Sequence, residues 1–157
     1  MKTCQVGLAA VSVLAVLGCA GPTASGSVPA FTNPSGLAKP NGFSHVVEVP
    51  AGPTLYVAGQ VARDQDGHVV GRGDMRAQAE QVFKNIRTAL EACGATLADV
   101  VQLTCYLRDM SQLAAYREVR ERVLGSNPRP ASTLVGVSAL SSEDFLLEVD
   151  VVAAPRR

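Results

Sequence analysis

The run Arg129-Pro130-Ala131-Ser132-Thr133-Leu134-Val135-Gly136-Val137 and the later Leu146-Leu147-Glu148-Val149-Asp150 decide the fold. Read at period two, the first puts Ala131, Thr133, Val135 and Val137 on one side of a strand and Ser132, Leu134, Gly136 and Ser138 on the other. The second sets Phe145, Leu147, Val149 and Val151 against Leu146, Glu148, Asp150 and Val152. Two carboxylates therefore lie one strand repeat apart. With the hydroxyl-and-glycine side of the first strand as their neighbour, they form the one place where the sequence assembles a reactive site.

The elements before these strands supply the rest of a layer. Phe43 to Val49 reads as a strand, Pro50-Ala51-Gly52-Pro53 as a turn, and Leu55 to Val61 as a second strand. Asp66-Gly67 signals a hairpin into a short strand, His68 to Val70. Asp74 caps a long helix whose stripe is Met75, Ala79, Val82, Phe83, Ile86, Leu90 and Cys93, with Gly94 closing it. Val100 to Leu107 alternates Val101, Leu103, Cys105 and Leu107 with Gln102, Thr104 and Tyr106. Ser111 opens a second helix, striped by Leu113, Tyr116, Val119 and Val123 and ended by Gly125. Two amphipathic helices cover one side of such a sheet, which predicts a two-layer α+β domain. The uncovered side is expected to carry Gln102, Thr104, Tyr106, Ser132, Ser138, Glu148 and Asp150. It is too polar for an inner core and rather apolar for open water, as in an oligomer interface with wet clefts.

The N-terminal stretch stands apart from this pattern. Lys2 and the apolar run Val6 to Leu17, too short to span a bilayer comfortably, read as a secretory signal over residues 1–18. Val16-Leu17-Gly18-Cys19 has the form of a lipoprotein box, which predicts acylation at Cys19 and a periplasmic or cell-surface protein held to a membrane only by lipid. Leu17 is less usual there than a small residue, so ordinary cleavage further on stays open. Residues 19–40, rich in Gly, Pro, Ser, Thr and Ala, read as a tether. Residues 41–157 form one domain.

The chain has 14 basic and 14 acidic side chains and no basic run, which argues against nucleic acid as a partner. With Cys4 assigned to the signal and Cys19 to the lipoprotein box, two cysteines remain, Cys93 and Cys105. Export permits a disulfide, yet both positions suit a buried free thiol, and neither has metal-site spacing.

Several short signatures together carry a resemblance. They are Gly42-Phe43-Ser44-His45, Ala58-Gly59-Gln60, Gln78 through Asn85, Glu91-Ala92-Cys93-Gly94-Ala95, Asp99-Val100-Val101, Arg108-Asp109-Met110, Pro130-Ala131 and Leu147-Glu148-Val149-Asp150. In that order the chain resembles the Rid family of reactive intermediate deaminases (YjgF-like) over about Asn41 to Ala153. The resemblance implies a chorismate-mutase-like fold, a homotrimer with ligand clefts between subunits, and no cofactor. Active members hydrolyse enamines and imines to 2-keto acids and ammonia. The departures are specific. Active deaminases carry a carboxylate-clamping arginine directly after the Pro-Ala pair, where this chain has Ser132. Phe43 replaces a usual tyrosine, Ala58 a serine before Gly-Gln, and Arg117 a frequent asparagine. Glu148, associated with the attacking water, is retained.

A guanidinium–carboxylate clamp in a desolvated cleft is bidentate, and truncating such a pair costs roughly 2–5 kcal/mol. Ser132 has one hydroxyl and no charge, so a carboxylated imine should be a poor substrate unless Arg129 or Arg117 substitutes. The expected site is Glu148 as catalytic group with Phe43, Ala58, Gly59 and Ser132 around the ligand, and Asp150 structural. A serine nucleophile at Ser132 is not expected, since neither a histidine nor a lysine stands at readable spacing from it. His45 is a packed or cleft-facing residue and His68 a solvated one, with no acid cluster beside them to make a metal site. Gly59 and Gly136 mark close backbone approach rather than phosphate binding. The expected function is small-molecule binding with imine or enamine hydrolysis. The alternative is a non-catalytic ligand-binding or scaffolding trimer; RNA cleavage, the family's older association, fits the charge balance least.

Overall fold

Asp74 starts the long helix α1 (Met75–Glu91) by accepting hydrogen bonds from the backbone of Arg76 and Ala77 at 2.9 and 3.1 Å. The chain leaves it through Gly94, at φ 72°, with Ala95 N donating back to Leu90 O. Its buried stripe is Met75, Gln78, Ala79, Val82, Phe83, Ile86 and Leu90. Asp109, not Ser111, caps the second helical segment: its carboxylate accepts from Ser111 N, and a short 3-10 turn leads into α2 (Leu113–Leu124). Phe83 and Tyr116 stack where the helices pack, with ring centroids 6.4 Å apart.

The structure, a computed structural model, describes residues 28–125 and 129–155. The signal segment, Cys19 and the tether up to residue 27 lie outside those residues. Among the described residues no helix is long and apolar enough to cross a membrane. The strands are β1 (Ala30–Thr32), β2 (Val46–Glu48), β3 (Leu55–Gln60), β4 (Val100–Leu107), β5 (Ala131–Gly136) and β6 (Leu147–Ala153). The main sheet runs β3-β6-β4-β5, antiparallel except for the β4–β5 pair, which α2 joins as a crossover. Both helices pack on one side of it, and the core holds Leu103, Cys105, Leu107, Leu147, Val149, Val151 and Ala153 against the α1 stripe. This is the α+β, two-layer arrangement expected.

Three local expectations give way to longer-range pairing. Of Phe43 to Val49 only Val46–Glu48 is strand, because Ser44 and His45 bond elsewhere: Ser44 N donates to Pro130 O and His45 N to Asn33 Oδ1. β2 pairs with β1, so Ala30–Thr32 belongs to the folded unit and is not tether. The short strand at His68 to Val70 reduces to one bridge, Arg63 with Val69.

Buried Gln78 holds the entry to β6 from both sides of its amide. Its Nε2 donates to Asp144 O at 2.7 Å and its Oε1 accepts from Leu146 N at 2.9 Å. Asn85 does the same for the exit of β3, donating to Val61 O and Arg63 O. A buried amide is tolerated only when satisfied in this way. The two strands that meet at the candidate site are thus each fixed to α1.

Candidate functional site

Register lays out the open side of the sheet in rows. Ala131, Gln102, Val152 and Tyr56 form one row; Thr133, Thr104 and Asp150 the next; Val135, Tyr106 and Glu148 the third. The β3–β6 pairing slips between Val57 and Gln60, where Ala58 and Gly59 oppose the single residue Asp150. This bulge brings Gly59 under Glu148. A β-carbon built on Gly59 would stand 2.8 Å from the Glu148 carboxyl carbon and closer still to its Oε1. Only a residue without a side chain admits the carboxylate there.

Tyr106 lies between the two acids. The Asp150 charge, then desolvation, then a hydrogen bond to Asp150 and the Glu148 charge hold its phenol above the ordinary value. At neutral pH the Tyr106 hydroxyl therefore keeps its proton, and it hydrogen-bonds to Asp150. The arrangement offers a carboxylate without a covering side chain, a phenol donor and backbone at a bulge, which is suited to orienting a water against a polarised C=N bond.

The expected site residues divide between two places. Glu148, Gly59 and Ala58 meet at the bulge. Ser132 pairs with buried Leu103, so it faces the helix-covered side and not the side of Glu148. This corrects the shared face expected for them: alternation along β5 is as read, but its phase is opposite. β5 and β3 are the two edges of the sheet, three interstrand spacings or roughly 14 Å apart. Phe43 belongs to the Ser132 end, because Ser44 Oγ donates to Arg129 O at 2.7 Å and Ser44 N to Pro130 O at 3.1 Å. Gly136 is approached by Met110, at 3.2 Å from a built β-carbon, and marks no ligand.

Other expectations are also revised. Cys93 is exposed beyond the end of α1, whereas Cys105 is buried, and both are free thiols. Burial pushes the Cys105 thiol up to about 12, against smaller lowering effects of Tyr116 and Arg120. The Tyr116 hydroxyl is buried beside it, with a weak hydrogen bond to that thiol and none of ordinary geometry. His45 is packed: Nε2 bonds Ala38 O at 2.8 Å and the ring stands edge-on to Phe43. His68 is solvated, but an acid cluster does accompany it, since ligand atoms of Asp64, Asp66 and His68 lie within 4.8 Å of one another. Asp64 there already accepts from the backbone of Asp66 and His68, as a turn residue does.

Sequence reasoning passed over Arg120, which is buried on α2 and shares the Glu121 Oε1 with Arg129, each at 2.8 Å. The signal was available: Arg120 follows Tyr116 by four residues and so falls on the apolar stripe.

Comparison with known proteins agrees with this architecture. Residues 35–155 match the family described as Endoribonuclease L-PSP. A RutC family protein of Pyrococcus horikoshii is 38% identical over 105 residues, covering 67% of this chain and 82% of that protein. A 2-iminobutanoate/2-iminopropanoate deaminase of Dermatophagoides farinae is 33% identical over 98 residues, 62% of this chain and 74% of that one. The crystal structure of YyfB from Yersinia pestis, described as a conserved Rid family protein of unknown function, superposes with a TM-score of 0.73. It is 37% identical, covering 81% of this chain and 98% of that one. The chain belongs to the Rid (YjgF-like) family, with the chorismate-mutase-like α+β fold.

Proposed function

We propose that this protein is an imine or enamine hydrolase working in clefts between the subunits of a homotrimer, with Glu148 orienting the attacking water. The observation that carries the reading is the fit of the Glu148 carboxylate against Gly59 at the β3 bulge. Membership in a family with an iminobutanoate deaminase among its members supports the reaction class. The polar open side of the sheet, and the separation of Phe43 and Ser132 from Glu148 within one chain, support clefts completed by a second subunit.

In the step proposed, Glu148 accepts a proton from water as its oxygen bonds to the C=N carbon. That proton passes to the imine nitrogen to give a carbinolamine, whose hydroxyl proton is then carried to the same nitrogen as the C–N bond breaks, leaving a carbonyl compound and ammonia. An enamine enters the same path once protonation at its carbon has made it an imine. Ser132 supplies no cation where active relatives have arginine, so substrates without a carboxylate beside the reacting carbon are favoured. Purified protein and its Glu148→Gln variant, incubated with neutral and carboxylated imines, test this through ammonia release. Turnover of neutral imines that collapses in the variant is expected. Equal rates for both proteins on every substrate would remove the catalytic assignment. Ser132 equally suits a trimer that binds a ligand without turnover, and thermal stabilisation by a metabolite with no ammonia release would select that reading.

The lipoprotein box motivates a location: export, with Cys19 acylated. Cells fed labelled palmitate should label the wild-type chain and not Cys19→Ser; label in neither would place the protein elsewhere.

A further inference from the structure

We infer that the hollow between β1, the start of β4 and the end of α2 is a binding site for a small neutral molecule with an apolar body, a fused aromatic ring in the simplest case. The hollow measures about 330 Å³, a size at which small-molecule pockets begin. Val28, Phe31, Leu97, Val101 and Leu124 line it, and Asp99 is the one polar side chain in its wall. Phe43, Ser132 and Glu148 do not line it. Val100 in its wall stands at the opposite end of β4 from Tyr106, roughly 20 Å away.

Its walls are fixed from several sides. The β4–β6 pairing slips between Val100 and Gln102, and this bulge buries Val100 and Val101 in succession, where plain alternation would send them to opposite faces. The 3-10 turn Leu97–Asp99 before them is tied down. Thr96 N and Oγ1 donate to Asp99 Oδ2 at 2.8 and 2.9 Å, and Ala154 N donates to Asp99 O at 2.8 Å. Phe31 is held opposite Val47 by the pairing of β1 with β2.

The polar groups that a water would need are already committed. Pro29 and Pro130 have no N–H, Pro130 O accepts from Ser44 N, and Asp99 O accepts from Ala154 N. A buried water takes about two to four polar partners, so solvent in this hollow is loosely held and an apolar guest gains by displacing it. Asp99 sets a negative charge at the wall. A guest carrying a carboxylate therefore loses on charge as well as on desolvation.

This site is separate from the Glu148 row and does not depend on the hydrolase reading. Titration calorimetry of the full chain at neutral pH with 2-naphthol and 2-naphthoate tests it, since the two share one ring body and differ in charge. 2-Naphthol should bind about tenfold or more tighter than 2-naphthoate. Ala98→Phe should weaken 2-naphthol at least about fivefold by putting a ring into the hollow, while Glu148→Gln leaves it unchanged. Ala98 is exposed, so its variant leaves the core intact and keeps the test valid. No binding of 2-naphthol, the result if a second copy covers the hollow, would overturn the assignment. So would 2-naphthoate binding as tightly, or affinity unmoved in Ala98→Phe.

Discussion

The backbone of Gly59 stands where any side chain would strike the carboxylate of Glu148, 2.8 Å separating a built β-carbon from the carboxyl carbon. Gly59→Ala must therefore turn the acid away or push β3 off β6. The expected outcome is a loss of hydrolysis comparable to Glu148→Gln, about tenfold or more, for a stability cost of about 1 kcal/mol or less, because the flexible Glu148 side chain can swing aside. Ammonia release and a urea melt measured together check it. Full activity in Gly59→Ala would detach the acid from the reaction.

Gln78 should be among the costlier side chains to replace. Gln78→Leu leaves Asp144 O without its donor and Leu146 N without its acceptor, both in the half-buried segment that leads into β6. About 2–4 kcal/mol of stability should go. Denaturant unfolding reads this directly, and a change within about 0.5 kcal/mol would mean that water replaces the amide.

Alkaline pH should weaken the fold through Cys105 and Tyr116. The thiol stands at about 12 in the folded chain against an ordinary 9.0. Between those values the unfolded chain has released a proton that the folded chain keeps, so stability falls as pH rises, by up to about 1.4 kcal/mol per unit. The contribution is whole below the lower value and gone above the upper one. Tyr116, also raised by burial, steepens the loss above its ordinary 10.0. Urea midpoints from about pH 8 to 11 should fall less in Cys105→Ala than in the wild type. Parallel curves would show that the thiol titrates freely. Tyr116→Phe removes a buried hydroxyl whose bond to the Cys105 thiol is weak, so stability at neutral pH should change by no more than about 1 kcal/mol.

Tyr56 is 82% exposed on the open side of the sheet, in the row of Gln102 and Val152. If that side forms the trimer, Tyr56→Asp should shift the mass measured by light scattering from three chains toward one. An unchanged trimer would place the interface on another surface.

Much of this architecture was legible because local and global signals coincide. Asp74, the stripe from Met75 to Leu90, and the alternation in β4 and β6 each follow from spacing alone. Ser132 was harder. Leu134 and Val135 are equally apolar, so alternation along β5 does not say which of them meets the helices; pairing with Leu103 and Cys105 decides it. Ala30–Thr32 has no pattern to read, since three residues become strand only by meeting Val46–Glu48. Gly59 could be flagged as a close approach, but its partner depends on a one-residue slip in register that no count along a single strand reveals.

The pairing of Ala30–Thr32 with Val46–Glu48 also sets a stand-off height. For a chain acylated at Cys19, only residues 20–29 remain between lipid and first strand, with a reach of at most about 35 Å. The domain would then ride within a few of its own radii of the bilayer. Its guests would have to arrive along the membrane surface, where anionic headgroups thin out dissolved anions and leave neutral solutes untouched.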